Sequence, residues 1–183
     1  MSDNFPYHVR PFVATDAVSL FAAVRASLDE LVSTMPWCSP EYSLAQAESW
    51  VTFSQQAWAA RTEFPLGIFE RASGAVVGGA GINHINRMHR FGNLGYWVAT
   101  PHTGRGVARF AAREAARLAF GEIGLSRVEI VTLTHNLASQ RVAESLGATR
   151  ECVARNRLVV GDAPRDAVVY SLIPEDEERW STA

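Results

Sequence analysis

Apolar residues along the chain follow two different periods, and the switches between them mark its elements. Tyr7 to Val13 alternates as a first strand, and Thr15 is placed as the N-cap of an amphipathic helix reaching about Ser27. Ser43-Leu44-Ala45-Gln46 has capping-box spacing, in which side chains three residues apart satisfy each other's backbone N–H groups, and it opens a second helix through about Arg61. Between them, Asp29 to Tyr42 reads as a Pro-punctuated connection containing Trp37. Three apolar segments follow, Phe64 to Glu70, Val76 to His84 and Phe91 to Ala99, with Ser73-Gly74 as the first turn between them. They predict a three-stranded antiparallel meander.

The period then changes. Val107, Phe110, Ala111, Ala115 and Leu118 fall on one face of a helix from about Gly106 to Ile123. Arg127 to Leu133 follows as a strand, and a strand–helix–strand unit sets its two strands parallel. A short helix from about Leu137 to Leu146 ends at Gly147, a residue that tolerates the left-handed closing turn. Two last strands, about Ala148 to Val160 and Arg165 to Ser171, are joined by a Gly161-Asp162-Ala163-Pro164 turn. The order βαα-βββ-αβ-αββ predicts a mixed α/β sheet. With neither a repeat nor a low-complexity linker, the 183 residues predict a single domain.

Composition narrows the function classes. Hydrophobic residues make up 48% of the chain, enough for a substantial core. A formal net charge of -2 gives no global attraction for nucleic acid or an anionic membrane, so any anion site must be local. No apolar run approaches the roughly 20 residues of a membrane span, and the opening MSDNFPYHVRPF lacks the apolar core of a signal peptide. The expectation is a cytoplasmic protein with neither a nucleic-acid nor a membrane partner. Cys38 and Cys152 are far apart and show no ligand spacing, which argues against a disulfide framework and a metal site. All 17 basic residues are Arg, so the chain offers no lysine amine to a reactive acyl donor.

The stretch TPHTGRGVARFAAREAARLAF, from Thr100 to Phe120, sets two glycines and an Arg before the most alanine-rich helix. A helix N-terminus exposes unsatisfied amides and about half a positive charge, and glycines there let a phosphate approach the backbone. Gly104 and Gly106 are placed for that. Arg105, Arg109, Arg113 and Arg117 recur every four residues on one face. At about 1.5 Å rise per residue, Arg113 lies roughly 12 Å from Arg105, so only Arg105 and Arg109 reach the same phosphate. Arg113 and Arg117 read as a solvated face. The loop is neither the glycine fingerprint of a dinucleotide fold nor a P-loop, since it lacks the third glycine of the one and the Lys and hydroxyl of the other.

What sharpens the reading is order. Gly95-Tyr96-Trp97-Val98 precedes Thr103-Gly104-Arg105-Gly106-Val107-Ala108, and Asn136-Leu137-Ala138-Ser139 follows the next strand. In these motifs the sequence resembles the GNAT superfamily of acyl-CoA-dependent N-acetyltransferases, within it the RimJ/RimL-like ribosomal-protein acetyltransferases. The likeness runs from Arg10-Pro11 through Met35-Pro36-Trp37, the two glycine motifs, Arg150-Glu151 and Arg165 to Ser171. It implies that acetyl-CoA is the co-substrate, with no metal. The amides of Arg105, Gly106, Val107 and Ala108 would meet its pyrophosphate, while Thr103 departs from the long polar residue usual there. The strand through Tyr96, Trp97 and Val98 would pair with the pantetheine arm. Asn136 would contact the coenzyme, and Ser139 would lie near its sulfur. Both also suit simple helix capping. The resemblance brings a homodimer as one assembly open to the chain.

Acetyl transfer needs a neutral amine, a donor for the developing oxyanion and help for the departing thiolate. Relatives often use a Tyr for the last, where this chain has Ala143; the role then passes to Ser139. They also often carry a Glu where Asn93 stands, which cannot take a proton. His84 is the candidate base, with His89 behind it, and a structural role is the alternative for each. A weak base favours an α-amine, with a pKa near 8, over a lysine amine near 10.4. The acceptor expected is therefore a protein N-terminus or a small amine. Trp37 and Glu41 are placed in the acceptor cleft wall, though a hydrophobic plug accounts equally well for Trp37. The alternative function is a degenerate acyl-CoA-binding module with catalysis lost at Asn93 and Ala143.

Overall fold

The computed structural model describes residues 5–181. Residues 1–4 and 182–183, part of the predicted single domain, lie outside them, as does the start of the segment read for a signal peptide. Seven strands form one sheet in the order β1-β2-β3-β4-β5-β7-β6. They are β1 (Tyr7–Arg10), β2 (Phe64–Glu70), β3 (Val76–Asn86), β4 (Phe91–Val98), β5 (Arg127–Leu133), β6 (Thr149–Val160) and β7 (Ala163–Leu172). The helices are α1 (Ala17–Arg25), α2 (Leu28–Thr34), α3 (Leu44–Ala60), α4 (Val107–Leu118) and α5 (Leu137–Ser145).

β2, β3 and β4 form the antiparallel meander, and β4 and β5 are parallel. On one face Leu94, Tyr96 and Val98 of β4 pack with α4, whose Val107, Phe110, Ala111, Ala112, Ala115 and Ala116 are buried. Alanines have little bulk, so α4 seats its backbone close to the sheet. Alternation along β4 turns Asn93, Gly95 and Trp97 to the opposite face. There Trp97 joins a second core built from α1, α3 and the α2 connection, including Leu20, Val24, Leu31 and Val51.

Several boundaries differ from the sequence reading, among them β3, which runs on to Asn86, and α4, which stops at Leu118 and continues as a π-helical turn over Ala119–Ile123. β1 ends at Arg10, three residues before Val13. Thr15 is not an N-cap: Ala14–Asp16 form a short 3-10 turn, and α1 starts at Ala17. Asp16 organises this turn, accepting two bonds from Arg10 at 2.7 and 2.9 Å and one from the Val13 N–H at 2.8 Å. The connection before α3 contains α2, a helix of 7 residues that buries only Leu31 and stops at Met35 before Pro36. The last turn is tighter than Gly161–Pro164, because β7 already begins at Ala163. The capping box at Ser43 forms as expected, with the Ser43 N–H donating to Gln46 Oε1 at 2.8 Å. Gly147 closes α5 at φ +77°.

Candidate active site

β4 and β5 stay in register only over Phe91↔Arg127, Gly92↔Val128 and Asn93↔Glu129. β4 continues to pair with β3 as far as Val98, so from Leu94 onward its β5-facing edge has no strand partner. A parting of this kind exposes backbone donors and acceptors inside a sheet, where burial normally demands that they be paired. Tyr96, Trp97 and Val98 lie on that edge.

The chain leaves this edge through the 3-10 turn Thr100–His102 and enters the glycine loop. Three bonds fix the approach: the Thr100 N–H donates to the buried Ser27 Oγ at 2.8 Å, Thr103 Oγ1 donates to the Thr100 carbonyl at 2.9 Å, and Tyr7 Oη lies 3.1 Å from His102 Nδ1. Gly104 and Gly106 both adopt left-handed φ, +71° and +75°, and a Cβ at either would meet nothing within 4 Å. These glycines are therefore demanded by backbone conformation, and the space over them is open. Gly106 is the N-cap of α4 and brings no side chain to it, so the first helical amides, including Val107, Ala108 and Arg109, stay available to a ligand. Among the described residues neither Arg105 nor Arg109 has an ion-pair partner, whereas Glu114 holds Arg117 at 2.8 Å and Arg113 at 3.9 Å. The Arg stripe thus divides after its second member.

α5 lies on the same sheet face as α4. Asn136 is its N-cap, with Oδ1 accepting the Ser139 N–H at 3.1 Å. Ser139 Oγ lies 3.1 Å from Tyr96 Oη, which also donates to the Ser139 carbonyl at 3.0 Å. Burial pushes the Tyr96 phenol up to about 12, so it stays protonated at neutral pH. This hydroxyl ties β4 to α5 across the parting, a connection not visible in the sequence because it joins residues 43 apart.

On the opposite face a cleft of about 390 Å³ is lined by His84, Asn93, Val131, Arg157 and Leu158. Asn93 and Val131 stand on either side of the parting, so the cleft opens onto the unpaired edge of β4. Asn93 Nδ2 donates to Asn83 Oδ1 at 2.8 Å, which fixes its amide. His84 adopts φ +50° where β3 sets two residues, His84 and Ile85, against the single Gly92 of β4. His89 sits outside the cleft in the hairpin tip, its N–H donating to Asn86 Oδ1. Trp37 is half-exposed and packs 5.9 Å from Trp97 and 6.0 Å from Tyr42, on the cleft's side of the sheet but outside its lining. Glu41 is exposed in the turn before α3 and is also outside that lining. Val131, Arg157 and Leu158 escaped the sequence reading. Beside the cleft, Arg127 clamps Glu151 through two 2.6 Å bonds and reaches Glu129 at 3.0 Å, and Ser171 Oγ donates to Glu151 at 2.8 Å. Among the described residues there is no group of three or more His, Cys, Asp or Glu side chains able to hold a metal, and no helix is long and apolar enough to cross a membrane.

A mixed sheet that parts between β4 and β5, with a glycine loop opening the next helix, frames the candidate site, and comparison gives the class: the chain belongs to the acetyltransferase (GNAT) domain family, whose model matches residues 8–149. Among its relatives is YdaF of Bacillus subtilis, provisionally named a ribosomal N-acetyltransferase, 32% identical over 105 residues covering 57% of each chain. Among solved structures, one from Vibrio cholerae, provisionally named a ribosomal-protein-serine acetyltransferase, is 28% identical and superposes with a TM-score of 0.78, covering 95% of this chain and all of that one. Mycobacterium smegmatis RimJ, solved in complex with CoA-disulfide, shares the fold at a TM-score of 0.84 and 22% identity, covering 96% of this chain and 88% of that one.

Proposed function

We propose that this chain transfers the acetyl group of acetyl-CoA to a primary amine, foremost the α-amine of a protein N-terminus. The observation that carries the reading is the meeting of two half-sites at one parting: an anion cradle of main-chain amides on the α4 face and a side-chain cleft on the other. The residues present fit the coenzyme, because the left-handed glycines leave open space above them and, among the described residues, Arg105 and Arg109 have no ion-pair partner. The amides from Arg105 to Ala108 and those two guanidinium groups would hold its pyrophosphate. The free edge at Tyr96, Trp97 and Val98 would pair with the pantetheine arm. Thr103, whose hydroxyl is committed to Thr100, would serve through its backbone. Asn136 and Ser139 would face the coenzyme from the first turn of α5.

Bound acetyl-CoA supplies a thioester carbonyl open to attack. The chain's own part is to admit a neutral amine through the cleft, take its proton and assist the departing thiolate. His84 lines the cleft and accepts the proton at a ring nitrogen, directly or through water; Asn93 orients the amine but takes no proton. Ser139 Oγ offers a hydrogen bond to the leaving sulfur. An α-amine with a pKa near 8 suits this modest base better than a lysine amine near 10.4, and the names of the Bacillus and Vibrio relatives refer to ribosomal targets, in keeping with a protein acceptor. The chain is proposed to work in the cytoplasm, and a homodimer is the assembly proposed for it.

Free-thiol release from acetyl-CoA should be measured against N-terminal peptides, polyamines and aminoglycosides. Release fastest with the peptides is expected. Release with polyamines alone would replace the acceptor, and no release with any amine would overturn the transferase reading.

A further inference from the structure

β6 sets three residues, Arg155, Asn156 and Arg157, against the single Asp166 of β7. At the centre of this bulge Asn156 adopts φ +51°, and its N–H donates to Asp166 Oδ1 at 2.9 Å. Left-handed backbone on a non-glycine residue costs roughly 1 kcal/mol or more and persists only where surroundings hold it. The bulge has a definite result: Arg157 and Leu158 are consecutive, yet both line the cleft, where plain strand alternation would send them to opposite faces.

The charge so delivered is not fully engaged. Arg157 stands 3.8 Å from Glu129 Oε2, beyond hydrogen-bonding distance, and its side chain is 47% exposed. Glu129 gives its other oxygen to Arg127, and Glu151 is taken by Arg127 and Ser171. Among the described residues no carboxylate is part of the cleft lining, and Glu129 is shared between Arg127 and Arg157, so a cationic acceptor would meet a guanidinium whose counter-charge is already divided. An acceptor with a carboxylate would meet five N–H donors in a planar fork suited to bidentate binding.

We propose that Arg157 selects the acceptor, favouring amines that carry a carboxylate a short distance from the reacting nitrogen. The inference rests on the acetyl-transfer reading and specifies its substrate class. Two sources share this chemistry: an acidic side chain just after a peptide N-terminus, and the α-carboxylate of a free amino acid.

The test compares thiol release from acetyl-CoA with peptides identical except at their second and third residues, set as two Asp, two Ala or two Lys, alongside free glycine and aspartate. The expected preference for the acidic over the neutral peptide is about fivefold to tenfold, carried in KM, as suits a partly exposed charge-assisted pair. In Arg157→Ala the acidic-to-neutral ratio should fall towards one, in Arg157→Glu it should invert, and Arg157→Lys should restore part of it. A preference for the free amino acids that disappears in Arg157→Ala also supports the assignment and names the α-carboxylate as the source. Absence of charge preference in the wild type, its survival in Arg157→Ala, or an equal loss on all peptides with lowered thermal stability would each overturn the inference. Thiol release indifferent to acceptor charge leaves the transferase reading standing, whereas no release with any amine removes both.

Discussion

Ser139 carries two readings from the sequence, helix cap and thiolate partner, and its neighbours distinguish them. The cap is Asn136, whose Oδ1 receives the Ser139 N–H, so the Ser139 hydroxyl is left to meet Tyr96. Tyr96 has one proton and donates it to the Ser139 carbonyl, which lets Ser139 Oγ donate to Tyr96 Oη until a better acceptor arrives. Ser139→Ala should therefore lower kcat about 100-fold, the lower end for groups assisting proton transfer, with coenzyme A affinity little changed. Its stability loss should be smaller than the roughly 1 kcal/mol expected for Asn136→Ala. Steady-state kinetics and thermal unfolding of the two variants check this; a fully active Ser139→Ala would dismiss the catalytic role. The positions of Asn136 and Ser139 were legible because caps are local. Arg157 was not, because its face depends on a bulge set by pairing with β7.

At the scale of the element, α4 combines an apolar stripe with an Arg stripe, and the structure treats the two halves of the latter differently. Arg113 and Arg117 are held by Glu114, with Arg117 also 5.8 Å from the Trp180 ring, while Arg105 and Arg109, at the glycine-loop end of the helix, have no ion-pair partner among the described residues. Arg109→Ala should weaken coenzyme A binding by about tenfold, and Arg117→Ala should leave it within about twofold. Calorimetric titration at rising salt checks it: the gap should narrow as charges are screened, and equal losses would return the whole stripe to a solvated face. β2 and β5 were legible to the residue, since runs of apolar residues between turn signals admit few other readings. α2 was not. Leu28, Leu31 and Val32 fall at helical spacing, but the helix spans only 7 residues and the following Pro36 draws the whole segment towards a loop. The 3-10 segment Pro174–Ser181 was also missed; a local cap opens it, with the Ile173 N–H donating to Asp176 Oδ2 at 3.0 Å, but a long-range bond from Trp180 Nε1 to the Leu146 carbonyl at 2.7 Å ties it to the rest of the fold.

For the whole molecule, β5, β6 and β7 are joined beside the cleft by the Arg127–Glu151–Ser171 clamp. The Arg127 guanidinium holds the Glu151 carboxyl down to about 2, with the Ser171 hydroxyl adding to it against the opposing effect of burial. A carboxylate depressed in the folded state stabilises it above the unfolded value, near 4.5, and loses that contribution as pH falls towards about 2. Because the Glu151 side chain is 36% exposed, solvent screening discounts the contribution to about 1 kcal/mol. Unfolding free energy should thus be lower in Glu151→Gln than in wild type at pH 7, with the difference closing between pH 4.5 and 2. A difference constant with pH would show that packing, not charge, is what the substitution disturbs.

If the cleft admits the acceptor as proposed, the bulges flanking it make strand length itself a carrier of specificity. His84 belongs to a segment with one residue more than its partner strand, and Asn156 to one with two more. Since side chains alternate with a period of two, removing a single residue from either segment would invert which neighbours overhang the cleft, without altering any amino acid beside it. The amides of the glycine loop are insensitive to such a change, being main-chain groups on another element. Deleting one residue at position 84 or 156 is therefore expected to change which acceptors are used while leaving coenzyme A affinity unaltered, an outcome that residue-by-residue substitution does not describe.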